Sequence, residues 1–489
     1  MLFNSYEFIF VFLPISFFVY FYLNRLRLTR ASKAFLVFAS LFFYSWWNIS
    51  YLPLILVSIL FNYTIGTVLS DETKNKKISK KTLLTIGITI NVILLAYFKY
   101  MDFFIENINI VLNSNILLLH LALPLAISFF TFQQIAYLVD SYRGETKEYD
   151  FLNYIVFVTF FPQLIAGPIV HHKEMMPQFD RLKNNLINYK NIALGIFIFT
   201  IGLFKKVVIA DTFAIWASSG FDNAHDLTLI ASWISSLAYT IQLYFDFSGY
   251  TDMAIGVGLL FNIKLPTNFD SPYKAVSIQD FWRRWHITLS RFLRDYIYIP
   301  LGGNRVGEFK VYGNLMITFI IGGLWHGAGW TFVLWGFLHG LALVIYRIWH
   351  KLGFKLNSFI GWFITFNFIN ITWVVFRAEN VSTAWIIIKS MFGLNGIFMP
   401  NALHPLFDSL GLSNIEYGSF VTILKLINGD LMTPLWFIVI LPILFLVKNS
   451  NEMLSSFKPR KLTALFFAII FSISVLKLSG YSEFLYFRF

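Results

Sequence analysis

Apolar stretches of about 18 to 24 residues recur along this chain from one end to the other, and each is long enough to cross a bilayer as a helix. Hydrophobic residues make up 57% of the 489 residues and charged residues only 13%, whereas soluble proteins average about 45–50% and roughly 25%. The sequence shows no soluble domain, no low-complexity linker and no clear internal repeat. We therefore predict an all-α, polytopic membrane protein.

The chain contains no cysteine. This excludes a disulfide framework, a thiol nucleophile, a thiolate zinc site and an iron–sulfur cluster, so that any nucleophile must be oxygen or nitrogen. The net charge of +12 lies in short loops between the apolar stretches, and we interpret it as a topology signal rather than as a nucleic-acid surface. We expect no nucleic acid among the partners.

Five membrane spans are predicted first, at residues 8–23, 34–47, 52–69, 83–98 and 116–139. The first and third loops between them are basic, the second carries no charge and the fourth is nearly neutral. Positive loops stay in the cytoplasm, so the N-terminus should face outward. The first span lacks a basic region before it and a small-residue cleavage site after it, and should remain as a helix.

Beyond residue 151 the pattern becomes irregular, because Pro162, Gly167 and Pro168 interrupt the apolar runs. Non-helical backbone at membrane depth is tolerated only where protein or a water-filled cavity surrounds it, so this region suggests an enclosed site. We expect about 10 to 13 crossings or half-crossings in all. The further spans are predicted at residues 191–210, 229–245, 251–261, 311–323, 330–349, 359–376, 434–447 and 462–476.

A charged block, residues 279–296, interrupts the apolar pattern in the middle of the chain. Ionisable groups inside a membrane cost at least about 2.5–3.5 kcal/mol each, and are therefore usually functional, paired or cavity-facing. On one continuous helix Arg283, His286, Ser290 and Arg294 would form a single stripe. Such a stripe could face water or a charged ligand, or could lie at the interface with its arginines on lipid phosphates, and the spacing leaves both open.

His326 stands between glycines in a segment otherwise suited to the bilayer core. Free imidazole titrates near pH 6.5, and desolvation favours its neutral, proton-accepting form, which a general base requires. The alternative is a core histidine bonded to a carbonyl across a tight helix crossing that the glycines permit.

The other histidines give weaker signals. His339 follows His326 by thirteen residues, which places the two on different faces of a continuous helix. No spacing supports a zinc site shared by His286, His326 and His339, so we expect no metal. We interpret the rest as loop or interfacial residues without chemistry: His120, His171, His172, His225, His350 and His404.

Residues 302–307 form a glycine-rich segment that lacks the lysine and hydroxyl of a phosphate-binding P-loop. We predict a turn after Pro300. Arg305 in this turn could meet a phosphate if the turn faces the cytoplasm.

Two motifs together carry a family resemblance. Residues 281–290 (FWRRWHITLS) followed by residues 323–328 (GLWHGA) resemble the paired signature of the membrane-bound O-acyltransferase family. The likeness extends to residues 1–5, 245–254 and 298–304, and so covers nearly the whole chain. It implies a single integral membrane acyltransferase domain at residues 1–489, within the bacterial branch that acetylates alginate and peptidoglycan.

The resemblance implies a helical bundle with a central funnel and short or re-entrant helices. His326 matches the near-invariant histidine of the family and His286 its second active-site position. A donor, acetyl-CoA or a carrier-bound thioester, would come from the cytoplasm, where basic loops attract its phosphates, and no cofactor would be tightly bound. The residues expected to bind donor or substrate are Arg283, Arg284, Ser290, Arg294, Asn304, Arg305 and Asp246.

The C-terminal residues 483–489 (EFLYFRF) resemble the aromatic ending of this branch and the tail of the small teichoic-acid D-alanylation peptide. We hypothesise that Tyr486 accepts the acyl group as an ester and passes it to a periplasmic esterase-like partner. A phenol with a pKa near 10 needs a base such as His326 for this step. Alternatively the tail is an interfacial anchor, since tyrosine gathers there in any case.

The expected function is O-acetylation of a cell-envelope glycan at the inner membrane. Peptidoglycan is favoured over alginate because no soluble acetyl-transfer domain is fused to the chain. A transporter or polysaccharide flippase should show paired halves with matching interruptions, whereas the charged block occurs once. A noncatalytic scaffold would leave the position of His326 unexplained.

Overall fold

The computed structural model describes residues 1–71, 78–146, 150–409, 415–480 and 485. Nearly all regular structure in these ranges is helical, which confirms the all-α prediction. The helices of the first half are α1 (Leu13–Arg25), α2 (Thr29–Ser45), α3 (Tyr51–Ser70), α4 (Lys80–Leu112), α5 (Ile127–Tyr142), α6 (Phe151–Thr159), α7 (Phe161–Leu164), α8 (His172–Phe179), α9 (Tyr189–Phe204), α10 (Asp211–Asp222) and α11 (Leu229–Leu260).

The second half continues in the same way. Its helices are α12 (Ile278–Arg284), α13 (Ile287–Leu293), α14 (Glu308–His326), α15 (Trp330–Lys351), α16 (Ser358–Arg377), α17 (Val381–Met391), α18 (His404–Ser409), α19 (Phe420–Lys425), α20 (Thr433–Leu446), α21 (Ser450–Ser455) and α22 (Lys461–Leu476). Two short strands, β1 (Phe398–Pro400) and β2 (Glu416–Gly418), pair in parallel.

Several helical segments have the length and the apolar composition that crossing a membrane requires. Among the described residues six segments are long and apolar enough to cross one: Phe8–Arg25, Tyr51–Ser70, Lys80–Leu112, Tyr189–Asp222, Trp330–Lys351 and Ser358–Arg377. The multi-pass prediction is confirmed. The total of about 10 to 13 crossings or half-crossings stays a prediction.

The predicted span at residues 116–139 is wrong in its first half. Residues 113–126 are irregular, and α5 begins only at Ile127. Side chains of α4 hold this segment in place of helical hydrogen bonds, since the Asp102 carboxylate accepts from the backbone N–H groups of Leu119 and His120 at 2.7 and 3.0 Å. The carboxylate thus supplies partners that backbone N–H groups outside a helix would otherwise lack.

The two spans predicted at residues 229–245 and 251–261 are one 32-residue helix, α11. The helix accommodates its two charged residues, Asp246 and Asp252, because both are buried and paired. The Lys206 ammonium lies 2.7 Å from the Asp246 carboxylate, and the Lys205 ammonium lies 2.7 Å from that of Asp252. Burying a charge is tolerable only with such pairing.

Helices α14 and α15 form a hairpin that positions the candidate site. At one end Lys351 bonds to Glu308 at 2.6 Å, and at the other end the chain turns between His326 and Trp330. The helices cross closely, since a Cβ added to Gly323 would lie 2.2 Å from the carbonyl oxygen of Phe332. The predicted glycine-mediated crossing is therefore present next to His326.

Candidate active site

His326 is the last residue of α14 and is only 6% exposed. Its ring lies against the indole of Trp335 and the ring of Phe376, with centroids 5.3 and 5.1 Å away. Within the described chain no hydrogen bond reaches the His326 ring nitrogens. The alternative of a core histidine bonded to a carbonyl therefore does not describe it, and the ring is oriented by its backbone and by packing.

A cavity of about 410 Å³ has His326 and its neighbour Trp325 in its wall. The other lining residues are Trp47, Asn48, Tyr51, Lys99, Leu123, Pro124, Leu125, Ala126, Ile127, Ser128, Phe129 and Ile165. Trp47 and Asn48 lie in the loop between α2 and α3, and residues 123–126 lie in the loop between α4 and α5; neither loop contains Lys, Arg, Asp or Glu. The charge rule predicts that both loops lie outside the cytoplasm, and the cavity beside the imidazole is predicted to lie on that side.

His286 is fully buried, and its ring centroid lies 6.5 Å from that of His326. Its Nδ1 is 3.1 Å from the side-chain oxygen of Asn268. That oxygen also accepts from the backbone N–H of Thr288 at 3.2 Å, which can only donate. The contact with Asn268 therefore requires a proton on Nδ1 of His286, and the buried Nε2, which has no partner in the described chain, is left as the proton acceptor of the neutral ring.

The single helical stripe predicted through residues 283–294 is wrong. Helix α12 ends at Arg284, α13 begins at Ile287, and His286 between them has a left-handed backbone with φ of 44°. Residues 268–270 stabilise the break, because the Ile287 N–H donates to the carbonyl of Asn268 and the Asp270 N–H to that of Arg284. His286 consequently points into the core while Arg283 is exposed.

Two of the four arginines expected to bind donor phosphates are already paired. The Arg284 guanidinium bonds to Asp280 at 2.9 Å and that of Arg294 to Asp295 at 2.7 Å. Arg283 and Arg305 are exposed and have no side-chain hydrogen bond or ion pair within the described residues. On geometry these two are better placed to meet an anion.

The remaining candidates lie apart from one another. Ser290 donates to the carbonyl of Trp285 at 3.4 Å, and the side-chain oxygen of Asn304, in the turn predicted after Pro300, accepts from the hydroxyl of Tyr298 at 2.7 Å. Asp246 is buried, and the backbone N–H of Leu485 donates to its carboxylate at 3.4 Å. Tyr486 lies outside the described residues.

His171 lies in the loop before α8, as predicted, and His172 begins that helix; both are buried rather than interfacial, with only 5% and 6% of their surfaces exposed. Nδ1 of His171 lies 2.9 Å from the hydroxyl of Tyr296, which donates to the buried Asp140 at 2.7 Å. His339 is also fully buried, and its ring bonds to the Trp282 indole and the Thr372 hydroxyl at 3.2 and 3.1 Å.

Comparison with known proteins identifies the family. The sequence profile of MBOAT, the membrane-bound O-acyltransferase family, matches residues 41–380 and so includes His286 and His326. The chain belongs to the membrane-bound O-acyltransferase family. It is therefore an acyltransferase, and its paired histidine motifs were correctly attributed to this family.

This membrane-bound O-acyltransferase is similar to several curated proteins. It is 48% identical to the peptidoglycan O-acetyltransferase of Helicobacter pylori, over the whole of this chain and 98% of that protein. It is 41% identical to the probable alginate O-acetylase AlgI of Pseudomonas aeruginosa, over 80% of this chain and 75% of that protein. The teichoic acid D-alanyltransferase of Streptococcus thermophilus is 28% identical over 52% of this chain.

Sequence reasoning missed two residues at the site of this acyltransferase. Asn268 holds the His286 ring, and Lys99 reaches the backbone at His326. The predicted span at 83–98 placed Lys99 just beyond its end, whereas α4 continues to Leu112 and places this lysine inside a helix. Asn268 carried none, since it lies in an irregular segment 18 residues from the histidine that it contacts.

Proposed function

We propose that this enzyme moves an acetyl group from acetyl-CoA in the cytoplasm across the inner membrane for O-acetylation of a cell-envelope glycan, with peptidoglycan as the acceptor. The observation that carries the proposal is the pair of buried imidazoles, 6.5 Å apart between centroids, with His326 in the wall of a cavity bordered by the predicted outer loops. The full-length similarity to a peptidoglycan O-acetyltransferase supports the choice of acceptor.

The proposed reaction is an acyl transfer with general base catalysis. A neutral imidazole takes the proton of the attacking hydroxyl, the oxygen forms an ester bond to the thioester carbonyl, and the carbon–sulfur bond breaks. The thiolate leaves and recovers the proton from the imidazolium, so that acetyl-CoA and an alcohol become an ester and free CoA. The two histidines could share these proton transfers, since His286 offers an unpartnered buried Nε2.

We further propose that Tyr486 is the first acceptor and that its ester passes the acetyl group to a periplasmic esterase-like partner and then to the glycan. Leu485, the residue before it, is fully buried within the same apolar cluster as Trp335 and Phe376, which contact His326. The residue before the proposed acceptor therefore belongs to the same apolar core as the rings that contact His326. Arg283 and Arg305, both exposed and unpaired in the described chain, are the proposed phosphate contacts.

Labelled acetyl-CoA tests the proposal with the purified full-length protein in lipid nanodiscs. We expect label on the C-terminal peptide and, when the partner is added, on peptidoglycan fragments. His326→Ala should abolish both products, whereas His225→Ala, which alters an exposed histidine, should leave them. Full transfer by His326→Ala, or no transfer by the wild type, would overturn the proposal.

Two further experiments test Tyr486 as the acyl carrier and peptidoglycan as the acceptor. Tyr486→Phe should lose the label on the tail, while the matched Tyr481→Phe should keep it. Label on the glycan with an unmodified tail under turnover would refute the carrier. Alginate oligomers offered beside peptidoglycan fragments decide the acceptor, since preferential acetylation of alginate would contradict our choice and favour the activity named for the Pseudomonas relative.

A further inference from the structure

We propose that Lys99 is a positioning residue for His326, an assignment that rests on the proposed acyl transfer at that histidine. Lys99 lies within α4, in a segment with mean hydropathy 1.7. Its ammonium donates to the carbonyl of Trp325 at 2.6 Å, to that of His326 at 3.1 Å and to the hydroxyl of Ser128 at 3.2 Å. All three of its N–H groups are thus engaged, and two of them hold the backbone of the site.

The end of α14 needs these partners. The last four carbonyls of an α-helix have no partner within the helix, and after His326 the chain continues in extended form at Gly327, with φ of −165°, so that no following turn caps them. Helix α4 supplies the missing donors from two successive residues, because the Tyr100 hydroxyl donates to the carbonyl of Leu324 at 2.5 Å. The carbonyls of residues 324, 325 and 326 are all satisfied in this way.

A cation is better suited to this position than a neutral donor. The carbonyl end of a helix carries partial negative charge, and a nearby ammonium stabilises it. Because the described chain offers the His326 ring no hydrogen bond, the ring's direction depends on its backbone and on the packing of Trp335 and Phe376. Loss of the Lys99 contacts should therefore let the backbone shift and move the imidazole.

The surroundings of Lys99 make this inference testable by chemical rescue. Lys99 lines the 410 Å³ cavity beside His326 and also a second cavity of about 250 Å³ beside Gly327 and Ala328. A small alkylammonium ion in either cavity can therefore reach the space left when the lysine side chain is shortened. Lys99→Ala leaves this space open, whereas Lys99→Met fills it with an apolar side chain of similar length.

We expect both variants to lower kcat for acetyl transfer by roughly 100-fold, the scale of a 1 Å misplacement of a catalytic group, with KM for acetyl-CoA changed by less than about twofold. Ethylammonium should restore a large part of kcat to Lys99→Ala and none to Lys99→Met. Tetramethylammonium, which is charged but has no N–H donor, should restore none. Tyr100→Phe, which removes a single carbonyl contact at Leu324, should cause a much smaller loss.

A readout independent of catalysis separates this inference from the proposed function. Diethyl pyrocarbonate modifies accessible imidazole, and mass spectrometry gives the modification rate at His326 in each variant that elutes as a monodisperse peak. We expect a changed rate in Lys99→Ala and Lys99→Met that ethylammonium reverses only in the former. Wild-type kcat in both variants, or an unchanged modification rate at His326, would overturn the assignment even if the wild type transfers acetyl groups. A wild type that transfers none, with the rate changed as expected, would overturn the function alone.

Discussion

The chemistry proposed for the site depends on Asn268, which lies 18 residues from His286 in the sequence. The side-chain oxygen of Asn268 accepts three donors: Nδ1 of His286, and the backbone N–H and hydroxyl of Thr288. The same amide therefore fixes both the direction of the imidazole and the ring nitrogen that carries its proton. The histidine motif supplies the proposed reactive group, and a residue outside the motif determines its tautomer.

We expect Asn268→Ala to lower acetyl transfer by about 10- to 100-fold, because an imidazole without its orienting partner can rotate or change tautomer. Leaving the two Thr288 donors unpaired should also cost about 1–3 kcal/mol of stability. Asn268→Asp keeps an acceptor oxygen and should retain more activity than the alanine variant. Initial rates and the fraction of monodisperse protein after heating measure the two effects.

Thr288→Val is the matched control for Asn268. It removes the hydroxyl bond to Asn268 and the one that Thr288 accepts from the Ile169 N–H, while it leaves the Asn268 contact to His286 in place. We expect lower heat stability with activity mostly retained. An equal loss of activity in Thr288→Val and Asn268→Ala would mean that Asn268 acts only on stability and would contradict the tautomer argument.

At the scale of elements, sequence identified the membrane helices well and their interruptions poorly. Apolar length predicted α3 and α16 within about two residues. It missed the break at His286, because the left-handed residue depends on hydrogen bonds from residues 268–270 that no local pattern records. Non-helical backbone at membrane depth is stabilised by tertiary contacts. A local sequence pattern therefore does not reveal where such a break occurs.

The hairpin of α14 and α15 leaves no room for a side chain at Gly323. Gly323→Ala would place a methyl group 2.2 Å from the carbonyl oxygen of Phe332 and 3.2 Å from Cα of Gly336. Because both atoms belong to backbone, the helices must separate, at a cost of about 1–3 kcal/mol or more. The shift would also displace His326, which lies one turn further along α14. We expect heat stability and acetyl transfer to fall together.

Gly313→Ala provides the comparison on the same helix. No atom lies within 4 Å of a Cβ added to Gly313, and alanine favours a helix by about 0.5–1 kcal/mol over glycine. We expect unchanged or slightly higher heat stability and normal activity. If Gly323→Ala behaved like Gly313→Ala, the close crossing of α14 and α15 would not constrain the site.

At the scale of the whole molecule, the proposed transfer across the membrane depends on the orientation of the protein. The cavity at His326 borders loops without positive charge, while Arg283 and Arg305 lie in other segments of the chain. The sequence alone predicts an orientation, because loop charge acts on insertion rather than through packing, and this orientation stays a prediction. The sequence could not predict the cavity itself, whose walls combine residues from 47 to 326.

The absence of cysteine makes the orientation directly measurable. We expect Asn48→Cys, at the rim of the cavity, to react in intact spheroplasts with a membrane-impermeant maleimide, and Arg305→Cys to react only after the membrane is permeabilised. The unmodified chain is the background control, since it has no thiol to label. Labelling in the reverse order would place the His326 cavity on the side of the proposed donor. The hydroxyl acceptor would then have to reach the imidazole by another path, and His326 could act on the thioester without any group crossing the membrane.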